Sequence, residues 1–281
     1  MDKKHVILYS GGLDSFLTYH HLKQYSDITD DNITLLYFNL GAKCTSAELE
    51  LFNDATFKNY VTKRISVSDA LNMGGLEDEH AYIPNRNILA AIMAHSITDA
   101  DYIWLGGTKS DRVNDNNSGV CEELSRLLTV MHEHDVTVDS AFYDFHKCEL
   151  VQEFVETSGW GSYDSPLVAQ YALIYSTFSC YNPCCCKHNH KAYINNDTDK
   201  VIVDYSSKEC MMCPACFRKC MSLYAGGIFI PMIINESSEL MIKKYYDEAK
   251  ENVGDDEYMS ARYQATIDYC NKLKEFCNLE I

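Results

Sequence analysis

The chain has 281 residues, of which 46% are apolar, and its formal net charge is −17. A surface this acidic repels phosphate backbones, so direct binding to duplex nucleic acid is not expected. The sequence has no run of about eighteen apolar residues and no apolar stretch of a secretory signal at its start, so neither a membrane span nor secretion is expected. These features predict a cytoplasmic protein.

Short apolar runs alternate with amphipathic segments along the first part of the chain. The segments predicted as strands are 5–9, 33–39, 65–67, 102–105 and 136–145. Those predicted as helices are 15–25, 46–60, 85–100, 122–134 and 147–157. Strands that alternate with helices indicate a mostly parallel sheet covered on both faces, which is the doubly wound α/β class. Ligands of such sheets bind at the carboxyl ends of the strands.

The character of the sequence changes after residue 178, where cysteines become frequent. Eight of the thirteen cysteines lie between Cys180 and Cys220, and helix-forming residues dominate 237–275. Without a secretory signal, clustered cysteines indicate a metal site rather than a set of disulfides. The sequence therefore predicts two domains, an α/β domain over 1–178 and a metal-binding, helical region over 179–281.

A glycine pair follows the first predicted strand, in the segment Ser-Gly-Gly-Leu-Asp-Ser at residues 10–15. Glycines permit a sharp turn, and the helix that follows presents backbone N–H groups and a positive dipole end, which together cradle phosphate. Ser10 and Ser15 add hydroxyl donors, and Asp14 suits a Mg²⁺ contact or a helix cap. The alternative is an ordinary turn with capping residues, but the flanking strand and helix favour the phosphate loop. The segment matches neither the Walker A nor the GxGxxG pattern.

A second motif, Ile-Pro-Asn-Arg-Asn at residues 83–87, precedes a predicted helix. Pro84 favours extended geometry before it, and an asparagine can cap the helix. Arg86 offers a planar fork of donors that suits phosphate or carboxylate. The alternative interpretation is a capped helix start with a solvated arginine.

Five segments together resemble one family of PP-loop ATP pyrophosphatases, the 7-cyano-7-deazaguanine synthases. They are residues 10–15, 83–89, 147–151 and 179–182, and the cysteines Cys210, Cys213 and Cys216. The resemblance runs from about residue 5 to residue 225 and implies an adenine nucleotide alpha hydrolase-like fold. It also implies that ATP adenylates the carboxylate of 7-carboxy-7-deazaguanine, that ammonia gives the amide, and that a second adenylation gives the nitrile.

The resemblance also implies roles for individual residues, with ATP, Mg²⁺ and Zn²⁺ as cofactors. The implied catalytic residues are Asp14, Ser15, Arg86 and Lys147. The implied ATP contacts are Leu8, Ser10, Gly11, Gly12, Leu13, Asp14, Ser15 and Phe38. The implied zinc ligands are Cys180, Cys210, Cys213 and Cys216. Four thiolates suit tetrahedral zinc, although their spacing alone also permits an iron–sulfur cluster.

The expected product serves queuosine-type or archaeosine-type tRNA modification, or the modification of some phage DNA. If the gene belongs to a phage, the host cytoplasm is the expected location. Free ammonia is the simplest nitrogen donor. Members of the family are often dimers, so a homodimer is the assembly to test.

Two segments depart from the family pattern. The first is 108–123, where the family has its deazaguanine-binding segment and this chain keeps only a Ser-Gly followed by a cysteine. Within it, Asp111 and Arg112 are either pocket residues or solvated loop charges. About thirty residues separate Cys180 from Cys210, including the Cys- and His-rich run 184–190, which is either a second metal site or an insert with spare thiols. An alternative function is therefore a divergent ligase that stops at the amide or joins the deazaguanine to another amine.

Overall fold

The computed structural model describes residues 3–25, 27–53, 63–66, 73–77, 82–109, 114–132, 134–184, 187–196, 199–256 and 258–279. The chain divides into two compact units, Met1–Phe145 and His146–Ile281. The sequence predicts this division at residue 178 instead. The helices that follow residue 146 belong to the second unit because they pack on its cysteine-bearing helix and its β-hairpin.

The first unit is built on a five-stranded sheet in which every pairing is parallel. Its strands are β1 (His5–Leu8), β2 (Ile33–Asn39), β3 (Lys63–Ser66), β4 (Tyr102–Trp104) and β5 (Thr137–Asp139). Their order in the sheet is β3-β2-β1-β4-β5, so the direction of winding reverses between β1 and β4. In open α/β sheets, the ligand crevice lies outside the carboxyl ends of the strands at such a reversal.

Helices cover both faces of this sheet. They are α1 (Leu13–Leu22), α2 (Thr45–Asn53), α3 (Arg86–Thr98) and α4 (Ser118–His132), with a 3₁₀ turn at Met73–Leu76. Successive strand residues point to opposite faces. Val6 of β1 accordingly packs in a core with the α3 residue Ala91, whereas Ile7 packs in a second core with the α2 residue Phe52. The first unit is a doubly wound α/β fold, as predicted.

The predicted strand 136–145 is wrong after Asp139. Ser140 there donates its hydroxyl to the carbonyl of Gly107 at 2.6 Å and accepts the backbone N–H of Phe142 at 3.2 Å. These bonds turn the chain away from the strand direction. In the described residues that follow, it pairs again only through an isolated bridge between Thr108 and Phe142. The predicted helix 46–60 is described as far as Asn53, and its later residues lie outside the described part of the chain.

The second unit combines helices with an antiparallel sheet. Its elements are α5 (Lys147–Glu156), α6 (Pro166–Tyr175), β6 (His188–Asn196), β7 (Asp199–Ser207), α7 (Pro214–Ala225), β8 (Ile228–Phe229), α8 (Glu236–Asn252) and α9 (Ser260–Cys277). The sheet order is β7-β6-β8. Part of the region interpreted as an insert is therefore a hairpin, which buries Ile194 and Val203. None of the described helices is long and apolar enough to cross a membrane.

Candidate nucleotide site and metal centre

The phosphate loop lies directly after β1, at the point where the sheet order reverses. Gly11 has a φ of +77°, a left-handed conformation that glycine adopts without steric cost. Gly12 is the N-cap of α1, has no side-chain cap, and donates its N–H to the Ser10 hydroxyl oxygen at 3.3 Å. The positive end of the α1 dipole therefore opens at the carboxyl edge of the sheet, the position that suits a phosphate group.

Gly106, just after β4, lies against this loop. A Cβ atom at Gly106 would be 3.2 Å from the Cβ of Asp14 and 3.4 Å from the backbone nitrogen of Ser15. The end of β4 therefore forms one side of the loop without any side chain between them. The sequence predicts a strand that ends at this glycine but gives no sign of the contact, because the two segments lie far apart along the chain.

For the ATP-cleaving function proposed below, we expect Gly106→Val to lower the rate of ATP cleavage by about 10–100-fold, since a displacement of about 1 Å in a catalytic site has a cost of this order. The isopropyl group must displace Asp14 or the start of α1. The rate of AMP release checks this prediction. Gly254→Val is the control, because a Cβ atom at that position meets nothing within 4 Å. Equal rates for both variants would contradict the contact.

The other predicted nucleotide contacts of the first unit lie around the same edge. Leu8 and Phe38 are half-buried near the ends of adjacent strands, and both pack against the core beneath α3 and α4. Ser15 is buried, and its hydroxyl donates to the carbonyl of Gly12 at 3.0 Å. This bond uses the Ser15 proton within the loop, so Ser15 first stabilises the turn and reaches a phosphate only by rotation of its hydroxyl.

Arg86 is the first residue of α3. Since α3 connects the parallel strands β3 and β4, it starts at the carboxyl edge of the sheet, which is also the edge of the phosphate loop. The predicted asparagine cap is absent: Asn85 has a φ of +58° and makes no side-chain cap. Instead Asn87 donates its backbone N–H and its amide to the two carboxylate oxygens of the buried Asp115, at 3.0 and 3.1 Å.

A half-buried acidic group lies within the electrostatic reach of Arg86. Glu48 accepts a hydrogen bond of 2.7 Å from the Tyr37 hydroxyl. Burial raises the pKa of Glu48, while the Tyr37 hydrogen bond and the positive charge of Arg86 act in the opposite direction. The sequence does not single out Glu48, because a glutamate in the first turn of a helix is common.

Of the divergent segment, Asp111 and Arg112 lie outside the described residues.

The second unit brings together the four cysteines that were predicted to bind metal. The Sγ atoms of Cys180, Cys210, Cys213 and Cys216 all lie within 4.8 Å of one another. Three of the distances between sulfur atoms are 3.5 Å for Cys213 and Cys216, 3.9 Å for Cys180 and Cys213, and 3.9 Å for Cys210 and Cys216. Backbone N–H groups of Cys210 and Asn182 point at the Cys180 sulfur, at 3.2 and 3.3 Å, and such donors stabilise a thiolate.

The spacing of these sulfurs fits a single ion. Zinc–sulfur bonds of about 2.3 Å in a tetrahedron place the sulfurs about 3.8 Å apart. The measured distances cluster around that value. A four-iron cluster attaches each cysteine to a different iron and therefore requires a wider separation. The dimensions of the cysteine cluster thus suit one tetrahedral ion.

A buried ion pair supports the metal centre. Lys219 and Glu209 are 2.8 Å apart and 4% and 3% exposed. Glu209 also accepts the N–H of Ser179 at 2.8 Å, and Lys219 donates to the carbonyl of Thr177 at 2.7 Å. These bonds join the residues before Cys180 to the residue before Cys210. The sequence gives no signal for this pair, because its members are ten residues apart on different elements.

Two further predictions concern the second unit. Lys147 is the first residue of α5, whose N-cap, His146, forms a capping box with Glu149. In the Cys- and His-rich run, Cys185 and Cys186 lie outside the described residues, and His188 and His190 lie on β6. Among the residues that the structure describes, neither histidine joins a group of potential metal ligands.

No protein-family model matches the chain, and no curated protein matches it. Among solved structures, the chain is similar to the U34-tRNA thiolase NcsA from Methanococcus maripaludis with its 4Fe-4S cluster, at 14% identity and a TM-score of 0.39. The similarity covers 66% of this chain and 61% of that chain. A likeness this distant says nothing about substrate or cofactor, and the fold assignment rests on the sheet order and the helix layers described above.

Proposed function

We propose that the chain is an ATP pyrophosphatase that adenylates the carboxylate of 7-carboxy-7-deazaguanine and converts it, with ammonia, to 7-cyano-7-deazaguanine. The observation that carries the proposal is the Ser-Gly-Gly-Leu-Asp-Ser loop at the reversal point of the parallel sheet. The motifs shared with the 7-cyano-7-deazaguanine synthases supply the identity of the substrate.

The chemistry needs an activated carboxylate. A carboxylate oxygen attacks the α-phosphorus of ATP, pyrophosphate leaves, and the resulting acyl adenylate accepts ammonia with the release of AMP. The amide oxygen then attacks a second ATP, and loss of AMP with two protons gives the nitrile. Such catalysis is mainly positioning and charge stabilisation.

The proposed roles of the residues are supported by their positions in the fold and by the shared motifs. The N–H groups at the start of α1 and the Ser10 hydroxyl would hold the pyrophosphate, and Asp14 would hold Mg²⁺. Leu8 and Phe38 would contact the nucleoside. Arg86, at the same edge of the sheet, would bind phosphate or the substrate carboxylate. Lys147 is proposed as a further phosphate ligand on the strength of the shared motif at 147–151.

We propose zinc as the ion of the four-cysteine site, because the sulfur spacing suits one tetrahedral ion. With all four positions filled by cysteine, no position is open for substrate. The ion would therefore be structural: it would fix the segment around Cys180 against the start of α7, where Cys213 is the N-cap.

A second candidate function is a ligase that stops at the amide or uses another amine. The divergent segment 108–123 favours it, because two of its polar side chains are already occupied by the protein. Asp115 accepts from Asn87 with both oxygens, and Asn116 accepts from the Tyr143 hydroxyl at 2.9 Å. These oxygens are thus engaged within the protein, in a segment that keeps only a Ser-Gly and a cysteine of the family pattern.

The experiment combines the purified protein with ATP, Mg²⁺, ammonium and 7-carboxy-7-deazaguanine, and follows the products by mass spectrometry. The first proposal predicts the nitrile and two AMP per nitrile. Accumulation of the amide with one AMP would select the second candidate. If no AMP forms with the deazaguanine acid, both proposals are wrong.

A further inference from the structure

A group of histidines lies at the amino edge of the first unit's sheet, away from the phosphate loop. His95 is near the end of α3, Asp99 follows that helix, and His134 precedes β5. One potential ligand atom from each lies within 4.8 Å of the others. The ring of His132, at the end of α4, lies 4.0 Å from the ring of His95, centroid to centroid. Four side chains of metal-binding type therefore converge from two stretches of the chain, 95–99 and 132–134.

Two of the histidines are oriented as metal-bound histidines usually are. His95 places its Nδ1 3.0 Å from the carbonyl oxygen of Ala100, and His134 places its Nδ1 3.2 Å from the carbonyl oxygen of His132. A ligating histidine typically donates one ring N–H to a carbonyl in this way, which fixes the ring and leaves the other nitrogen as the ligand. In both residues that other nitrogen is Nε2.

The Nε2 atom of His95 is the strongest sign of a missing ligand. His95 is 1% exposed, and within the described parts of the chain its Nε2 has no hydrogen-bond partner. A buried polar atom without a partner costs about 1–3 kcal/mol, so proteins rarely leave one unsatisfied. Burial lowers the pKa of His95, and the neighbouring His132 and His134 act in the same direction to a lesser extent.

Asp99 completes the group with an oxygen. It has a φ of +52°, a left-handed conformation uncommon for a residue other than glycine, and this geometry ends α3 beside the histidines. Lys4 holds its Oδ2 at 3.2 Å, and its Oδ1 lies 4.0 Å from the Nε2 of His134. The lysine thus fixes one carboxylate oxygen and leaves the other directed at the cluster.

We propose that His95, Asp99 and His134 bind a divalent transition-metal ion of the zinc class, with His132 or water as the fourth ligand. Two imidazoles and a carboxylate are a common ligand set for such ions. Bonds of about 2.0–2.1 Å require ligand atoms about 3.3 Å apart. The gap of 4.0 Å between Asp99 and His134 closes by a small movement of two side chains that are 70% and 36% exposed.

The position of the site determines what the ion does. His95 and His134 precede β4 and β5, whereas the phosphate loop follows β1, so the two sites lie at opposite edges of one parallel sheet. The ion therefore takes no part in adenylation. It joins the end of α3 to the connection between α4 and β5 and stabilises the first unit, independently of the four-cysteine site in the second unit.

The test is the number of ions bound by the full chain. Metal-free protein is titrated with Co²⁺ and with Zn²⁺, and bound metal is measured after gel filtration. We expect two ions per chain, of which only the one at the cysteines gives sulfur-to-cobalt charge-transfer absorption. Asp99→Asn and His134→Ala should each bind the second ion at least about 10–100-fold more weakly and retain the cysteine-bound ion.

The matched control is His21→Ala, which removes a histidine of α1 in the same unit that lies outside the cluster. Retention of the cobalt–sulfur absorption shows that the second unit of each variant is folded, and a far-UV circular dichroism spectrum equal to that of the wild type shows the same for the whole chain. The proposal is overturned if the wild-type chain binds a single ion, or if both ligand variants bind two ions with unchanged affinity. In that case Asp99 and His134 are only neighbours on the surface of the first unit.

Discussion

Replacing Cys213 with serine is expected to release the metal ion of the second unit and to lower the free energy of unfolding by at least about 3 kcal/mol. The reason is that structural zinc contributes its binding free energy, about 10–16 kcal/mol in small zinc domains, directly to folding. Cys213 is also the N-cap of α7, so the loss of the ion detaches this helix from Cys180. Metal content and urea unfolding of the full chain check the prediction.

Cys277→Ser is the matched control, because Cys277 is also half-buried but lies outside the cluster. It should retain a full complement of metal and a nearly unchanged midpoint of unfolding. A Cys213→Ser protein that kept its ion and its stability would show that the four cysteines are ordinary core residues.

Asp14→Asn is expected to lower the rate of AMP formation by about 100–1000-fold, the cost typical of removing one group that stabilises the charge of a transition state. Asp14 lies in the first turn of α1, where the loop meets Gly106. Asparagine has nearly the same shape but carries no charge for Mg²⁺. The variant should therefore unfold at the same temperature as the wild-type chain, which a thermal melt measures beside the assay.

Asp31→Asn serves as the control for Asp14, since Asp31 is an exposed residue in the turn before β2. Its rate should match the wild type. Full activity in Asp14→Asn would show that the loop takes no part in catalysis.

The central strands β1, β2 and β4 were predictable because each is a short apolar run followed by an amphipathic helix. The end of β5 was not, because it depends on the Ser140 hydroxyl, which bonds to Gly107 far away in sequence. The β6–β7 hairpin was missed for a related reason. The cysteines that precede it and the histidines at its start, in the run 184–190, suggested a metal tract, while the alternation of buried and exposed residues lies further along the strands.

The candidate sites likewise combine features that the sequence reveals with features that only the fold brings together. The phosphate loop and the cysteine spacing are local patterns, so sequence reveals them. Gly106, Asp115 and the Glu209–Lys219 pair act only through partners brought close by folding. The histidine cluster is likewise assembled from two distant stretches, 95–99 and 132–134, and the sequence of neither stretch indicates a metal site by itself.

The central claim, adenylation of a carboxylate, is tested most directly with 7-carboxy-7-deazaguanine labelled with ¹⁸O in both carboxylate oxygens. Because each AMP leaves with a substrate oxygen, the account predicts that both AMP molecules formed per nitrile carry one ¹⁸O. A ligase that stops at the amide would give one labelled AMP and retain the second label in the product. AMP without label would contradict the account, because ATP would then have been hydrolysed by water.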